Sequence, residues 1–138
     1  MAQTKRNAHI VLVEDNPADV LLFRKALQEK GIAFDLTCFE DGEQALKSLA
    51  QEGQDEPDII LLDMNLPIFD GGEILRRIRS IPRLDHVPVA ILTSSESPLD
   101  RDRASLLGAD RYINKPIALN DFLREVGREV EKMLSASH

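Results

Sequence analysis

Five side chains in this sequence stand where apolar runs end, and together they could move a phosphoryl group. Glu14 and Asp15 follow the run from Ile10 to Val13, and Asp63 closes Ile59-Ile60-Leu61-Leu62. Thr93 closes Val89-Ala90-Ile91-Leu92, and Lys115-Pro116 follows the stretch from Arg111 to Asn114. Singly, each has an ordinary use: an acid after a strand is often a helix cap, Thr93 a strand residue, Lys115 a solvated loop charge. Brought together, three carboxylates repel, and at least one gains proton affinity unless a cation intervenes. A hard divalent ion with oxygen ligands, such as Mg²⁺, relieves that repulsion and keeps waters that phosphate oxygens can replace. One carboxylate can then attack phosphorus as a nucleophile while metal and lysine neutralise the equatorial oxygens. Thr93 could hydrogen-bond a phosphoryl oxygen once it is attached.

Such a site exists only if those strand ends meet. Strand-like and helix-like segments alternate five times along the chain, with strands expected at Ile10 to Val13, Phe34 to Phe39, Ile59 to Asp63, Val89 to Thr93 and Arg111 to Asn114. Three of them are unbroken apolar runs, which suit strands covered by helices on both faces of a parallel sheet. Asn16-Pro17 and Ser97-Pro98 give helix starts with proline in the first turn, and Asp41 with Gln44 and Asp70 with Glu73 have capping-box spacing. Val20, Phe23 and Leu27, then Ile74 and Ile78, then Phe122, Val126 and Val130 recur at helical intervals. Gly31 and Gly108 stand where helices would end. The pattern predicts a flavodoxin-like (βα)₅ doubly wound sandwich with a five-stranded parallel sheet in the order 2-1-3-4-5. In such sheets ligands bind beyond the carboxyl ends of the strands, which is where the five side chains fall.

The same residues carry a resemblance. Leu12-Val13-Glu14-Asp15-Asn16, Ile59-Ile60-Leu61-Leu62-Asp63-Met64-Asn65-Leu66-Pro67 with Asp70-Gly71, Pro88-Val89-Ala90-Ile91-Leu92-Thr93-Ser94, Gly108-Ala109-Asp110 with Tyr112, and Lys115-Pro116 occur in that order. With them the chain resembles the receiver domain of bacterial two-component response regulators over nearly its full length. The resemblance implies Asp63 as the phosphorylated nucleophile. It implies Asp15 as a direct Mg²⁺ ligand, Glu14 acting mainly through metal-bound water, and Asn65 lending a backbone carbonyl. It further implies that Lys115 pairs with the phosphoryl group, that Lys115-Pro116 is a candidate cis bond, and that Thr93 and Tyr112 form a switch pair. Ser94 would leave room for the donor's histidine ring. Asn16-Pro17-Ala18-Asp19 with Arg83-Leu84-Asp85-His86-Val87-Pro88 is similar to stand-alone regulators paired with phytochrome-type histidine kinases.

The function expected is a signalling receiver rather than an enzyme. It takes a phosphoryl group from a histidine kinase or phosphotransfer protein, loses it slowly by its own hydrolysis with Asn65 and Ser95 near the water's path, and signals to a downstream protein. The output surface expected is the face of the fourth helix, fifth strand and fifth helix, which could also join two copies. Three other readings stay open: an aspartyl-phosphate phosphatase, for which Asn65 stands where an acid is needed, a flavin-binding domain, and a receiver that has lost phosphorylation. The 138 residues are expected to form one receiver domain, with a core from about 8 to 134 and no output domain. A formal charge of −7 argues against direct DNA binding. No apolar run is long enough for a membrane span or secretory signal, so a cytoplasmic location is expected. Arg76, Arg77 and Arg79 beside Glu73 read as a solvated face, and the single cysteine, Cys38, as an inert buried strand thiol.

Overall fold

Alternation within the strands explains the architecture. In the computed structural model, which describes residues 7–51, 56–63, 71–94 and 97–136, the strands are β1 (Ala8–Val13), β2 (Phe34–Phe39), β3 (Ile59–Asp63), β4 (Val89–Thr93) and β5 (Arg111–Asn114). All pairings are parallel and the sheet order is β2-β1-β3-β4-β5, as expected. The helices are α1 (Pro17–Glu29), α2 (Gly42–Leu49), α3 (Gly71–Arg79), α4 (Pro98–Leu106) and α5 (Leu119–Ala136), with a 3₁₀ turn at Pro82–Leu84. Ile10, Leu12, Ile59, Leu61, Ala90, Leu92 and Ile113 face one way, onto Phe23 and Leu27 of α1 and Phe122, Val126 and Val130 of α5. Val11, Val13, Ile60, Leu62, Val89 and Ile91 face the other way, onto α2, α3 and Ala104 of α4. Side chains of period two thus feed two separate cores. The apolar residues of β3 are fully buried, each contributing roughly 1.5–3 kcal/mol. A charge at any of these positions would break the central strand.

The cap signals hold at α1 and α2. Asn16 caps α1 by accepting from the Ala18 N–H at 2.9 Å, and Asp41 caps α2 by accepting from Gln44 N–H at 2.8 Å. Asp70 lies outside the described residues, and Ser97 makes no side-chain cap bond. Gly31 and Gly108 follow helices with φ of 70° and 105°, a conformation costly for any residue with a Cβ. β1 starts two residues earlier than expected because Ala8 and His9 pair with Phe34 and Asp35.

Three expectations need correction. Arg76 and Arg77 are exposed and paired with Glu73, but Arg79 turns inward. Its guanidinium donates to the carbonyls of Gly108 at 3.0 Å and Val87 at 2.9 Å and to Asp110 Oδ2 at 2.7 Å, tying α3 to the start of β5. Arg79 lies one helical turn after the buried Leu75, so it shares the core-facing side. Cys38 is only half-buried, because β2 is an edge strand. No cis peptide bond occurs among the described residues, so Lys115–Pro116 is trans, the form X–Pro bonds favour by roughly 0.5–1 kcal/mol. No helix among the described residues is long and apolar enough to cross a membrane.

Candidate metal centre and acceptor site

Glu14, Asp63 and Lys115 are delivered to one place by strand geometry. The Glu14 N–H donates to Phe39 O at 2.9 Å and the Lys115 N–H to Thr93 O at 2.7 Å, so each residue extends its ladder one step past its strand. Continued alternation sends Glu14, Asp63 and Lys115 toward the α1/α5 face, and Thr93 and Tyr112 toward α4. Tyr112 accordingly packs on the core beneath α2, α3 and α4.

On the α1/α5 side, Glu14, Asp15 and Asp63 bring one carboxylate oxygen each to within 4.8 Å of one another. Asp15 is exposed, whereas Glu14 and Asp63 are buried polar residues at the ends of apolar strands. Lys115 Nζ donates to Glu14 Oε1 at 2.7 Å and lies 3.6 Å from Asp63 Oδ2. Burial pushes the Glu14 carboxyl up to about 7, a hydrogen bond with Asp63 adds to this, and Lys115 opposes it. Burial by itself would lower the Lys115 pKa, yet its bonds to carboxylates hold it above the ordinary lysine value. Crowded oxygens with one carboxyl at the edge of ionisation form a donor set suited to a hard divalent cation. Asn65, the fourth expected contributor, lies outside the described residues, as does Ser95.

A further carboxylate joins the cluster. Asp19, in the first turn of α1, accepts from Lys115 Nζ at 2.9 Å. In the sequence Asp19 stands out only as part of the Asn16-Pro17-Ala18-Asp19 motif. Its signal was helical spacing, since Asp19 lies four residues before the buried Phe23 and so shares its face. Asp19, Ser94, Lys115, Pro116 and Ile117 line an open cleft of about 340 Å³ beside the cluster.

On the α4 side, Thr93 is almost fully buried. Tyr112 is half-buried at the edge strand, with the Arg101 guanidinium 5.1 Å from its ring centroid. Arg101 also reaches Asn114 Oδ1 at 3.5 Å. Asp110, two residues after Gly108, accepts from the Val89 N–H at 2.8 Å as well as from Arg79, a structural role. The Cys38 thiol, 3.9 Å from Glu14 O, is pushed up by burial and then by the Glu14 charge, which keeps it unreactive.

Residues 10–127 match the response regulator receiver domain family. The chain is 37% identical over 121 residues to response regulator Rcp1 of Synechocystis, a match covering 85% of this chain and 82% of the relative. The phosphorylated cyanobacterial phytochrome response regulator RcpA superposes with a TM-score of 0.86 at 36% identity, covering 95% of this chain and 96% of the other. The receiver domain of a Pseudomonas aeruginosa sensor histidine kinase, with a magnesium ion coordinated in its active site cleft, gives a TM-score of 0.72 at 30% identity, covering 91% and 99%.

Proposed function

This chain belongs to the response regulator receiver domain family, and on that premise we propose that Asp63 accepts a phosphoryl group from a histidine kinase or a phosphotransfer histidine. The observation that carries this reading is the setting of Asp63: buried at the end of a central strand, 3.6 Å from a lysine ammonium and clustered with two further carboxylates. An Asp63 oxygen attacks phosphorus, and the new O–P bond forms as the donor's N–P bond breaks, its electron pair staying on the imidazole nitrogen. Lys115 balances the charge gathering on the phosphoryl oxygens. Mg²⁺ held by Glu14, Asp15, Asp63 and the Asn65 carbonyl would supply Lewis-acid neutralisation of those same oxygens. The exposed Ser94 leaves the cleft open for the donor ring.

The acyl phosphate carries about −2 charge where the Asp63 carboxylate carried about −1. Thr93 turns its hydroxyl to a phosphoryl oxygen, and the Tyr112 ring moves inward behind it. The α4-β5-α5 face then presents a different surface to a downstream protein or a second copy. Such a shift requires the phosphoryl group to interact differently with the two packings. Attack of water on phosphorus slowly returns the Asp63 carboxylate and inorganic phosphate. The likeness to a phytochrome response regulator supports a phytochrome-type kinase as donor.

Incubation with Mg²⁺ and acetyl phosphate, followed by intact-mass measurement, tests the acceptor. One phosphoryl adduct is expected, labile to hydroxylamine and absent in Asp63→Asn. An unmodified wild type, or an adduct that persists in Asp63→Asn, would overturn the assignment.

A further inference from the structure

Resting on that reading, we propose that Asp19 is a positioning residue that holds Lys115 in the resting state and competes with the phosphoryl group for it. The Lys115 ammonium has three protons to give. It donates to Glu14 Oε1 at 2.7 Å and Asp19 Oδ2 at 2.9 Å, while Asp63 Oδ2 stands at 3.6 Å, beyond hydrogen-bond length. The lysine is therefore drawn away from the acceptor by two nearer carboxylates. These two are not equivalent. Glu14 belongs to the group of three oxygens that can share a cation, and Asp19 does not. The Glu14 side chain is 1% exposed and the Asp19 side chain 26%, so Asp19 can exchange its lysine for water at lower cost.

Asp19 thus neutralises Lys115 until a stronger anion forms on Asp63. The lysine then swings to the phosphoryl oxygens, and Asp19 is released at the mouth of the cleft it lines with Ser94 and Pro116. How tightly Asp19 holds sets how readily the switched state is reached.

Binding of beryllofluoride, a phosphoryl mimic, at saturating Mg²⁺ reads this competition by titration calorimetry. Asp19→Asn, and Asp19→Ala as a second variant, should bind roughly three- to tenfold tighter than wild type, because the lysine is no longer contested. Asp19→Glu should restore wild-type affinity. In a Lys115→Met background the gain from Asp19→Asn should shrink below about twofold, since the effect runs through the lysine. Unchanged or weaker binding in both Asp19 variants, or a gain that survives without Lys115, would overturn the proposal. A wild type that fails to bind beryllofluoride would overturn the receiver reading itself, a different failure from that of Asp19.

Discussion

The two sides of one sheet edge are built on opposite terms. Toward α1 and α5, Lys115 is held by Glu14 and Asp19 at hydrogen-bond distance with Asp63 close behind, all within or at the border of a buried layer. Toward α4, Tyr112 is half-buried on an edge strand, and the cation over its ring comes from the exposed Arg101. Charges in a desolvated cluster resist rearrangement unless another charge enters. An exposed cation–π contact gives way for about 0.5–1 kcal/mol. The first side is suited to receive a charge and the second to report it. Thr93 lies between them, its carbonyl bonded to the Lys115 N–H and its side chain directed toward α4.

Removing the cation should expose this asymmetry most. Lys115→Ala leaves Glu14 and Asp63 facing each other without their counter-charge, and in Mg²⁺-free buffer near pH 8 urea unfolding should show a loss of roughly 2–4 kcal/mol. Added Mg²⁺ should recover part of it. A loss no larger than that of an exposed arginine would erase the distinction between the two sides.

Acidity gives a comparable effect through Glu14, which faces Asp15, Asp63 and Lys115. Its folded-state value of about 7 lies above the ordinary 4.5, so between the two the folded protein holds a proton the unfolded chain has lost. Stability of the Mg²⁺-free protein should therefore be greatest at low pH, as far as this group decides it. It should fall by up to roughly 3 kcal/mol as pH rises through about 7. Glu14→Gln should flatten that fall in a series of denaturation curves. Identical pH profiles for wild type and Glu14→Gln would contradict the burial-driven shift.

On the other side the changes should be small in energy yet visible. Arg101→Ala should alter stability by less than about 1 kcal/mol. Tyr112 is the sole tyrosine and there is no tryptophan, so tyrosine fluorescence reports this ring alone. Its emission should change in Arg101→Ala even though unfolding barely does. A large stability loss with unaltered emission would mean that Arg101 is structural.

The strands were legible because β3 and β4 are apolar on both faces, which suits a doubly covered parallel sheet, while their order came as much from the receiver resemblance as from the pattern. Glu14, Asp63 and Lys115 were legible because strand ends in such a sheet share one rim. Asp19 and Arg79 were not, although both lie one helical turn from buried residues, Phe23 and Leu75. Charge type outweighed spacing in the reading of those helices, and only packing shows that the face carrying each residue turns inward. Cys38 failed for the converse reason: apolar neighbours suggested burial, but an edge strand is covered on fewer sides.

The most direct measurement of the coupling between the two sides is Tyr112 fluorescence followed while Mg²⁺ and acetyl phosphate phosphorylate the protein. Emission should change in step with adduct formation and stay constant in Asp63→Asn. Full phosphorylation of the wild type with no change at Tyr112 would contradict the claim that charge received at Asp63 is read out at the α4-β5-α5 face.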